Sequence, residues 1–256
     1  MMDSLWAIRS VWLRFFDVFV KNLKYYLVTT FLEPILYLLS FGIGVGSLVG
    51  TLHVGGQAIP YKSFIFSGII AQTVLFQGFF EGAYGGFVRM YYQKIYQSMA
   101  ITPITVSEVL WGELLWDASK STLAAFVVTL IGVAFGQFSP AAILPLLPIS
   151  FAGALLFSSM GLAAAGFSKS IEELSYPQYL LVFPMFLFCG VFYPLDGLPK
   201  VLQVLAWVFP LTSILSLVRT VALGFKFEPG AVPIVLAWMI ALLWLARRTM
   251  KRRLVK

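Results

Sequence analysis

Ala246-Arg247-Arg248-Thr249-Met250-Lys251-Arg252-Arg253-Leu254-Val255-Lys256 carries six basic residues in its last ten positions, directly after an apolar stretch. Lys and Arg flanking spanning helices are retained on the cytoplasmic side of a membrane. The tail therefore predicts a cytoplasmic C-terminus, and every earlier segment can be oriented from it.

The chain is 60% hydrophobic and 11% charged. A soluble domain is nearer half apolar and a quarter charged, so this composition reads as an integral membrane protein. The net charge of +7 belongs to the same reading: the basic residues flank apolar segments and form no nucleic-acid recognition motif. One cysteine (Cys189) and one histidine (His53) exclude an intrachain disulfide and a zinc cluster. Arg9, Arg14, Asp17, Lys21 and Lys24 interrupt the N-terminal apolar run, so it is expected to be retained rather than cleaved as a signal peptide.

Working back from the tail, the last span covers about Ala231 to Ala246 and the first about Leu27 to Val49. At ~1.5 Å per residue the first is long enough to cross a core of ~30 Å. Before it, residues 1–24 alternate polar and aromatic faces at helical spacing and predict an amphipathic helix in the cytoplasmic interface. A polar loop, Thr51 to Pro60, leads to a second span, about Lys62 to Phe87. Two glycine ridges, Gly42-Gly46-Gly50 and Gly78-Gly82-Gly86, predict close helix contacts. Arg89 and Lys94 then mark a cytoplasmic segment. Thr105 and Glu108 form a capping box for the third span, about Val106 to Phe135. The fourth covers about Ala141 to Phe167. The fifth, about Ile171 to Phe192, is capped by Ser170 and Glu173 and bent at Pro177 and Pro184.

Parity decides the region between the fifth span and the last. Counting Val201 to Val221 as a further span would put the basic tail outside. The charge rule instead predicts two short outer helices, about Leu198 to Val208 and Leu211 to Leu223, dipping in as a re-entrant hairpin. The expected fold is an all-α integral membrane protein: six transmembrane helices in one domain, residues 1–256, with both ends inside.

Ionisable residues near spanning helices are expensive unless paired or wetted, and so are functional candidates. Glu33, Glu81, Asp117 and Lys120 qualify. Glu113, Asp117 and Lys120 recur at one-turn spacing and predict an inner charge cluster, read as a local ion network before a substrate contact. Glu81 has no basic neighbour one turn away, so its partner is expected from another helix, another subunit, a substrate or water.

The chain contains no Gly-x-x-x-x-Gly-Lys-Ser/Thr loop and so cannot cradle nucleotide phosphates in that manner. Scattered acids and a single histidine argue against an embedded transferase or hydrolase. Three stretches carry a resemblance. They are Glu33-Pro34-Ile35-Leu36-Tyr37-Leu38 with Phe41-Gly42; Met99-Ala100-Ile101-Thr102-Pro103 running into Glu108-Val109-Leu110-Trp111-Gly112-Glu113; and Cys189-Gly190-Val191-Phe192-Tyr193-Pro194-Leu195-Asp196-Gly197-Leu198-Pro199, continued by Phe209-Pro210-Leu211-Thr212 and Leu217-Val218-Arg219. In this order the chain resembles, over nearly its whole length, permease subunits of type-2 ABC exporters, above all the NodJ branch that exports lipo-oligosaccharides.

The resemblance implies a bacterial inner-membrane homodimer clamped onto two ATPase subunits, with ATP and Mg on those partners. It implies no cofactor, metal or catalytic residue on this chain, and an amphipathic cargo, first a lipid-linked saccharide or lipo-oligosaccharide. It places a coupling segment at about Tyr92 to Val106, with Ser98, Met99, Ala100, Ile101, Thr102, Pro103, Thr105 and Glu108 meeting the ATPase. It makes Gln72, Thr73, Gln77, Glu81, Met185, Phe186 and Phe188 candidates for the wall of the path. Gly190, Tyr193, Pro194, Asp196, Pro210 and Arg219 become candidates for an outer gate. Similar permeases move drugs and other lipid-like cargo, and a secondary transporter without an ATPase stays open beside them.

Overall fold

The computed structural model describes residues 2–254, so Lys256 of the basic tail lies outside the described residues. The chain is an all-α integral membrane protein. Helix α1 (Met2–Lys21) breaks at Asn22 and turns into α2 (Leu23–Tyr37). The latter widens into a π-helical stretch, Leu38–Val45, and ends with the turn Gly46–Val49. The 51–60 segment, expected as an irregular polar loop, is instead an antiparallel hairpin of β1 (Thr51–Val54) and β2 (Gln57–Pro60), with Val54 opposite Gln57. Gly55 and Gly56 both have positive φ, 57° and 80°. A two-residue primed turn requires that backbone, and only glycine adopts it freely.

The core helix is α3 (Tyr61–Phe80), in which 17 of 20 residues are buried. A helix apolar all round is one enclosed by other helices. It does not stop near Phe87 but continues through π-helical turns Glu81–Gly85 and Val88–Tyr92. A short α4 (Ile95–Ala100) then precedes the long α5 (Val106–Ala134). Helix α6 (Ile143–Phe167) crosses α3 at glycines: a Cβ on Gly82 would lie 2.3 Å from Ser158 O, and one on Gly161 2.3 Å from Phe79 O. The 78-82-86 ridge thus brings two helices together. The 42-46-50 ridge meets α3 less closely: a Cβ on Gly46 would lie 3.3 Å from the Lys62 side chain and one on Gly42 an ordinary 3.7 Å from Phe66, while one on Gly50 would meet open space.

The segment expected to form one fifth helix to Phe192 is a continuous helical run of four successive stretches that differ in winding. They are Glu172–Leu174, Ser175–Pro177, the π-helical Gln178–Val182, and α7 (Phe183–Phe188). Helicity stops at Phe188, and Gly190 follows with φ 83°. Pro177 closes one stretch, while Pro184 sits near the start of α7 with helical backbone on both sides, so the run continues past its missing N–H. Helices α8 (Lys200–Val208) and α9 (Pro210–Leu223) meet at 89° around Pro210. Helix α10 (Ala231–Leu254) runs two turns past Ala246, because Arg, Lys and Met are good helix formers and no breaker intervenes.

Five helical runs among the described residues are long and apolar enough to cross a membrane: Leu32–Val49, Tyr61–Tyr92, Val106–Ala134, Pro140–Phe167 and Ala231–Arg253. The bent α8–α9 pair, counted as one span, would make a sixth. The bundle has a tail end, bearing the basic residues of α10, and a hairpin end, bearing β1–β2.

Candidate functional site

Near the tail end five charged side chains converge from two rods. Arg89, on the π-helical continuation of α3, donates from Nε to Glu113 Oε1 at 2.6 Å, from Nη1 to Glu81 Oε1 at 2.8 Å and from Nη2 to Asp117 Oδ1 at 3.2 Å. Lys120 of α5 donates to the other oxygen of Glu81 at 2.5 Å. Glu113 and Asp117 are wholly buried, and Arg89 is 9% exposed. Such a network holds together only because each charge has its counter-charge at contact distance. Two aromatic faces add to it: the Arg89 guanidinium lies 5.1 Å from the Phe15 ring and Lys120 Nζ 4.4 Å from Tyr26.

Glu113, Asp117 and Lys120, expected to form a local ion network along one helix, pair instead with residues of the other rod, Glu113 and Asp117 with Arg89 and Lys120 with Glu81. Arg89, expected in a cytoplasmic segment, is the hub of the cluster. In a regular α-helix, residues eight apart point about 80° away from each other. The wide π turn Glu81–Gly85 lies between them and reduces that offset, a second one, Val88–Tyr92, begins just before Arg89, and π-bulges often mark functional sites. Gly85 lies beneath the bridge, where a Cβ would come within 3.1 Å of Glu81 Oε1 and 3.0 Å of Arg89 Nη1. The pair Gly85-Gly86 beside an acid and an arginine was the available signal.

Helix α1 closes over this site. Its stripe Ala7, Val11, Phe15 and Phe19 is buried, while Trp6 and Val20 are exposed, so the packing face is narrower than its aromatic content suggests. Trp116 of α5 is ringed by Trp12, Phe15, Phe16 and Phe19 at centroid distances of 5.8, 6.5, 6.3 and 5.6 Å. Gly112 permits that approach, since its Cβ would lie 2.6 Å from Val11.

The segment between the two rods begins at Lys94, the one described non-glycine residue with positive φ (51°). Tyr96 and Met99 of α4 are buried against the same core that holds Trp116, whereas Ser98 and Pro103 are exposed and Ile101 is 88% exposed. Thr102 Oγ1 donates to Met99 O at 2.6 Å and tightens the turn after Ala100. The capping box forms: the Thr105 N–H donates to Glu108 Oε2 at 2.7 Å, and the Glu108 N–H donates to Thr105 Oγ1 at 3.3 Å.

The expected path residues are mostly enclosed by their own chain. Gln72, Thr73, Met185 and Phe186 are buried, Gln77 is partly so, and Phe188 is exposed. The Phe186 ring meets Phe192 at 4.9 Å and Tyr37 at 5.9 Å edge to face, and Phe76 at 5.0 Å at a tilt. Glu81 is engaged by Arg89 and Lys120. Glu33 lies half-buried beside an open groove of about 500 Å³ with Leu32, Tyr37, Ser40 and Phe41.

At the hairpin end Arg219 is buried. Its Nη2 donates to Gly190 O at 2.8 Å, its Nε to Ser67 Oγ at 3.3 Å, and its guanidinium lies 3.7 Å from the Phe64 ring centre. Pro210 opens α9, and Thr212 Oγ1 donates back to Ala206 O across the bend. Tyr193 donates to Leu187 O at 2.6 Å, Pro194 is partly buried and Asp196 is exposed.

Residues 7–223 match the family described as ABC-2 type transporter. The chain belongs to the ABC-2 type transporter family. Among relatives of this permease is Nodulation protein J of Rhizobium leguminosarum bv. trifolii, 30% identical over 84% of this chain and 80% of the relative. Nodulation protein J of Rhizobium meliloti (strain 1021) is 26% identical over 86% and 82%. The inner membrane transport permease YadH of Escherichia coli (strain K12) is 25% identical over 90% and 88%. The family match covers the five-charge cluster, the capping box and Arg219, so these lie inside its transport domain. The permease is a transport membrane subunit and not itself an enzyme.

Proposed function

We propose that this permease is the membrane half of an ATP-driven exporter in a bacterial inner membrane, with both termini in the cytoplasm. It works as a homodimer on two copies of a separate ATPase, which holds ATP and Mg. The cargo is amphipathic, a lipid-linked saccharide or lipo-oligosaccharide, a reading supported by the kinship with Nodulation protein J. No nucleic acid is involved.

One observation carries the mechanism: the connection from Gln93 to Ile104 is rooted at both ends on the same buried charge cluster, through Arg89 on one side and Glu113, Asp117 and Lys120 on the other. A push on Ile101 therefore reaches two rods together instead of bending one loop. Rigid transmission of this kind is what coupling to a closing ATPase requires. Ser98, Ile101, Thr102 and Pro103 form the docking face, and Thr105 with Glu108 joins it to α5. Outward release passes the region of Gly190, Tyr193, Asp196, Pro210 and Arg219. Gln72, Thr73, Gln77, Glu81, Met185, Phe186 and Phe188 lie toward the path once a second subunit is present.

The test is purification from its native membrane followed by native mass spectrometry and vesicle transport. A two-plus-two complex with an ATP-hydrolysing subunit, lost on Ile101→Asp without loss of folding, is expected. Export of lipo-oligosaccharide by the chain alone, without any ATPase, would overturn the reading.

A further inference from the structure

A cavity of about 550 Å³ opens at the tail end between the end of the Val88–Tyr92 turn, the C-terminus of α6 and the last turns of α10. Its lining is Tyr91, Gly166, Phe167, Thr249, Arg252 and Arg253. Gly166 builds it: a Cβ there would lie 2.4 Å from Thr249 Oγ1, so α6 and α10 touch backbone to side chain. That contact carries Arg253 over the open carbonyl end of α6.

Two contacts then fix the Arg253 guanidinium. Nη2 donates to Phe167 O at 3.3 Å, and the group lies 4.9 Å from the Tyr91 ring centre. Its other terminal nitrogen, Nη1, is buried and has no acceptor among the described residues. Arg252, the next residue, is exposed on the same lining. No carboxylate lines the cavity. Two guanidiniums, one of them holding a buried donor without an acceptor in the chain, suit an anion.

The rim says which anion. Phe167 is 61% exposed and Tyr91 38% exposed, and both flank the basic end of a spanning helix. Aromatic rings at that level sit among lipid headgroups, and basic pockets between spanning helices take anionic headgroups.

We propose that this cavity binds the phosphodiester headgroup of an anionic phospholipid, with Arg253 Nη1 and Arg252 donating to its oxygens and Tyr91 and Phe167 meeting the glycerol and the first acyl carbons. Arg252 also lines a second cavity, of about 530 Å³, beside Thr105 and Lys251. A bound headgroup thus sits next to the root of the coupling segment, which makes the lipid a partner of the moving part.

The full chain, purified in detergent, is titrated with phosphatidylglycerol, phosphatidylcholine or inorganic phosphate, while thermal unfolding and lipid retention by native mass spectrometry are followed. Phosphatidylglycerol is expected to raise the unfolding temperature and to remain bound; phosphatidylcholine and inorganic phosphate are expected to do neither. Arg252→Gln, a change at an exposed side chain, should cut phosphatidylglycerol retention about tenfold. Arg253→Gln should cut it further, and Arg247→Gln, outside the cavity, should leave it unchanged. Equal retention of the neutral lipid, full retention in Arg252→Gln, or equal loss in Arg247→Gln would each refute the site. An equal shift from inorganic phosphate would refute the lipid. Loss of ATPase co-purification in Arg252→Gln with lipid retention intact would give the cavity to a protein partner instead.

Discussion

Arg89 and Glu113 meet at 2.6 Å, Nε to Oε1, where the glutamate has no exposed surface at all. One guanidinium serves three carboxylates from two rods, and only its planar fork can do so: an ammonium is a point charge with no comparable spread of donors. Glu113 Oε2 and Asp117 Oδ2 accept from no described group, so the site already holds more acceptor capacity than its two cations fill.

Removing the hub is therefore expected to cost far more than removing one spoke. Arg89→Ala leaves three carboxylates facing one lysine and should destabilise the permease by about 3–5 kcal/mol. Arg89→Lys should recover less than half of that. Glu113→Gln keeps the shape and removes a charge, and should cost less than either. Thermal unfolding of the three variants in one detergent gives the order; a tolerated Arg89→Ala would show that the cluster holds nothing together.

The parts of this site legible in the sequence are those on one regular helix. Glu113, Asp117 and Lys120 recur at one-turn spacing, and Thr105 with Glu108 is a local pattern closing on itself. Arg89 escaped because its link to Glu81 depends on π turns, which break the 3.6-residue count on which periodicity rests. Arg219 is an outer-gate candidate by resemblance, but its burial was not legible, for another reason. Its partners are backbone carbonyls of Gly190 and Val191 and the ring of Phe64, groups that carry no charge pattern to read. The β1–β2 hairpin was readable, since Gly55-Gly56 between short β-capable runs is a turn signal, but hydropathy alone favours a loop there.

The α3–α6 crossing is set by glycines on both sides, which makes it sensitive to single methyl groups. Gly82→Ala and Gly161→Ala each put a Cβ 2.3 Å from a carbonyl oxygen of the opposing helix. Backbone cannot yield as a side chain does, so each is expected to cost about 1–3 kcal/mol. Gly44→Ala, where a Cβ meets nothing within 4 Å, is the control and should be neutral or slightly stabilising. Unfolding temperatures decide between them.

Arg219 pins α9 to α3 and to the turn at Gly190, and no acid pairs with it in the described chain. Arg219→Gln keeps a hydrogen-bond donor but loses the charge and the ring contact. A charge-assisted hydrogen bond contributes about 1.5–3 kcal/mol. Amide exchange across Lys200–Leu223 is therefore expected to speed by at least tenfold, while exchange in the cluster at Glu113 stays as in the parent. Uniform acceleration throughout the bundle would mean that Arg219 supports global stability and not the hairpin alone.

If Ile101 docks an ATPase as proposed, the capping box separates stability from transmission. Thr105 and Glu108 lie at the exposed start of α5, with no part in the buried core, so Thr105→Ala should lower stability by only about 1 kcal/mol. Its mechanical effect should be larger. Without the box the first turn of α5 frays, and a displacement of Ile101 is absorbed at residues 104–107 before it reaches Glu113. In vesicles containing the ATPase complex, Thr105→Ala is expected to keep most ATP hydrolysis and lose most export, whereas Thr105→Ser, which restores the acceptor oxygen, should recover both. Parallel loss of hydrolysis and export would place the fault in docking, and unchanged export would show that the motion enters by another route, through α1 and its ring of aromatics around Trp116.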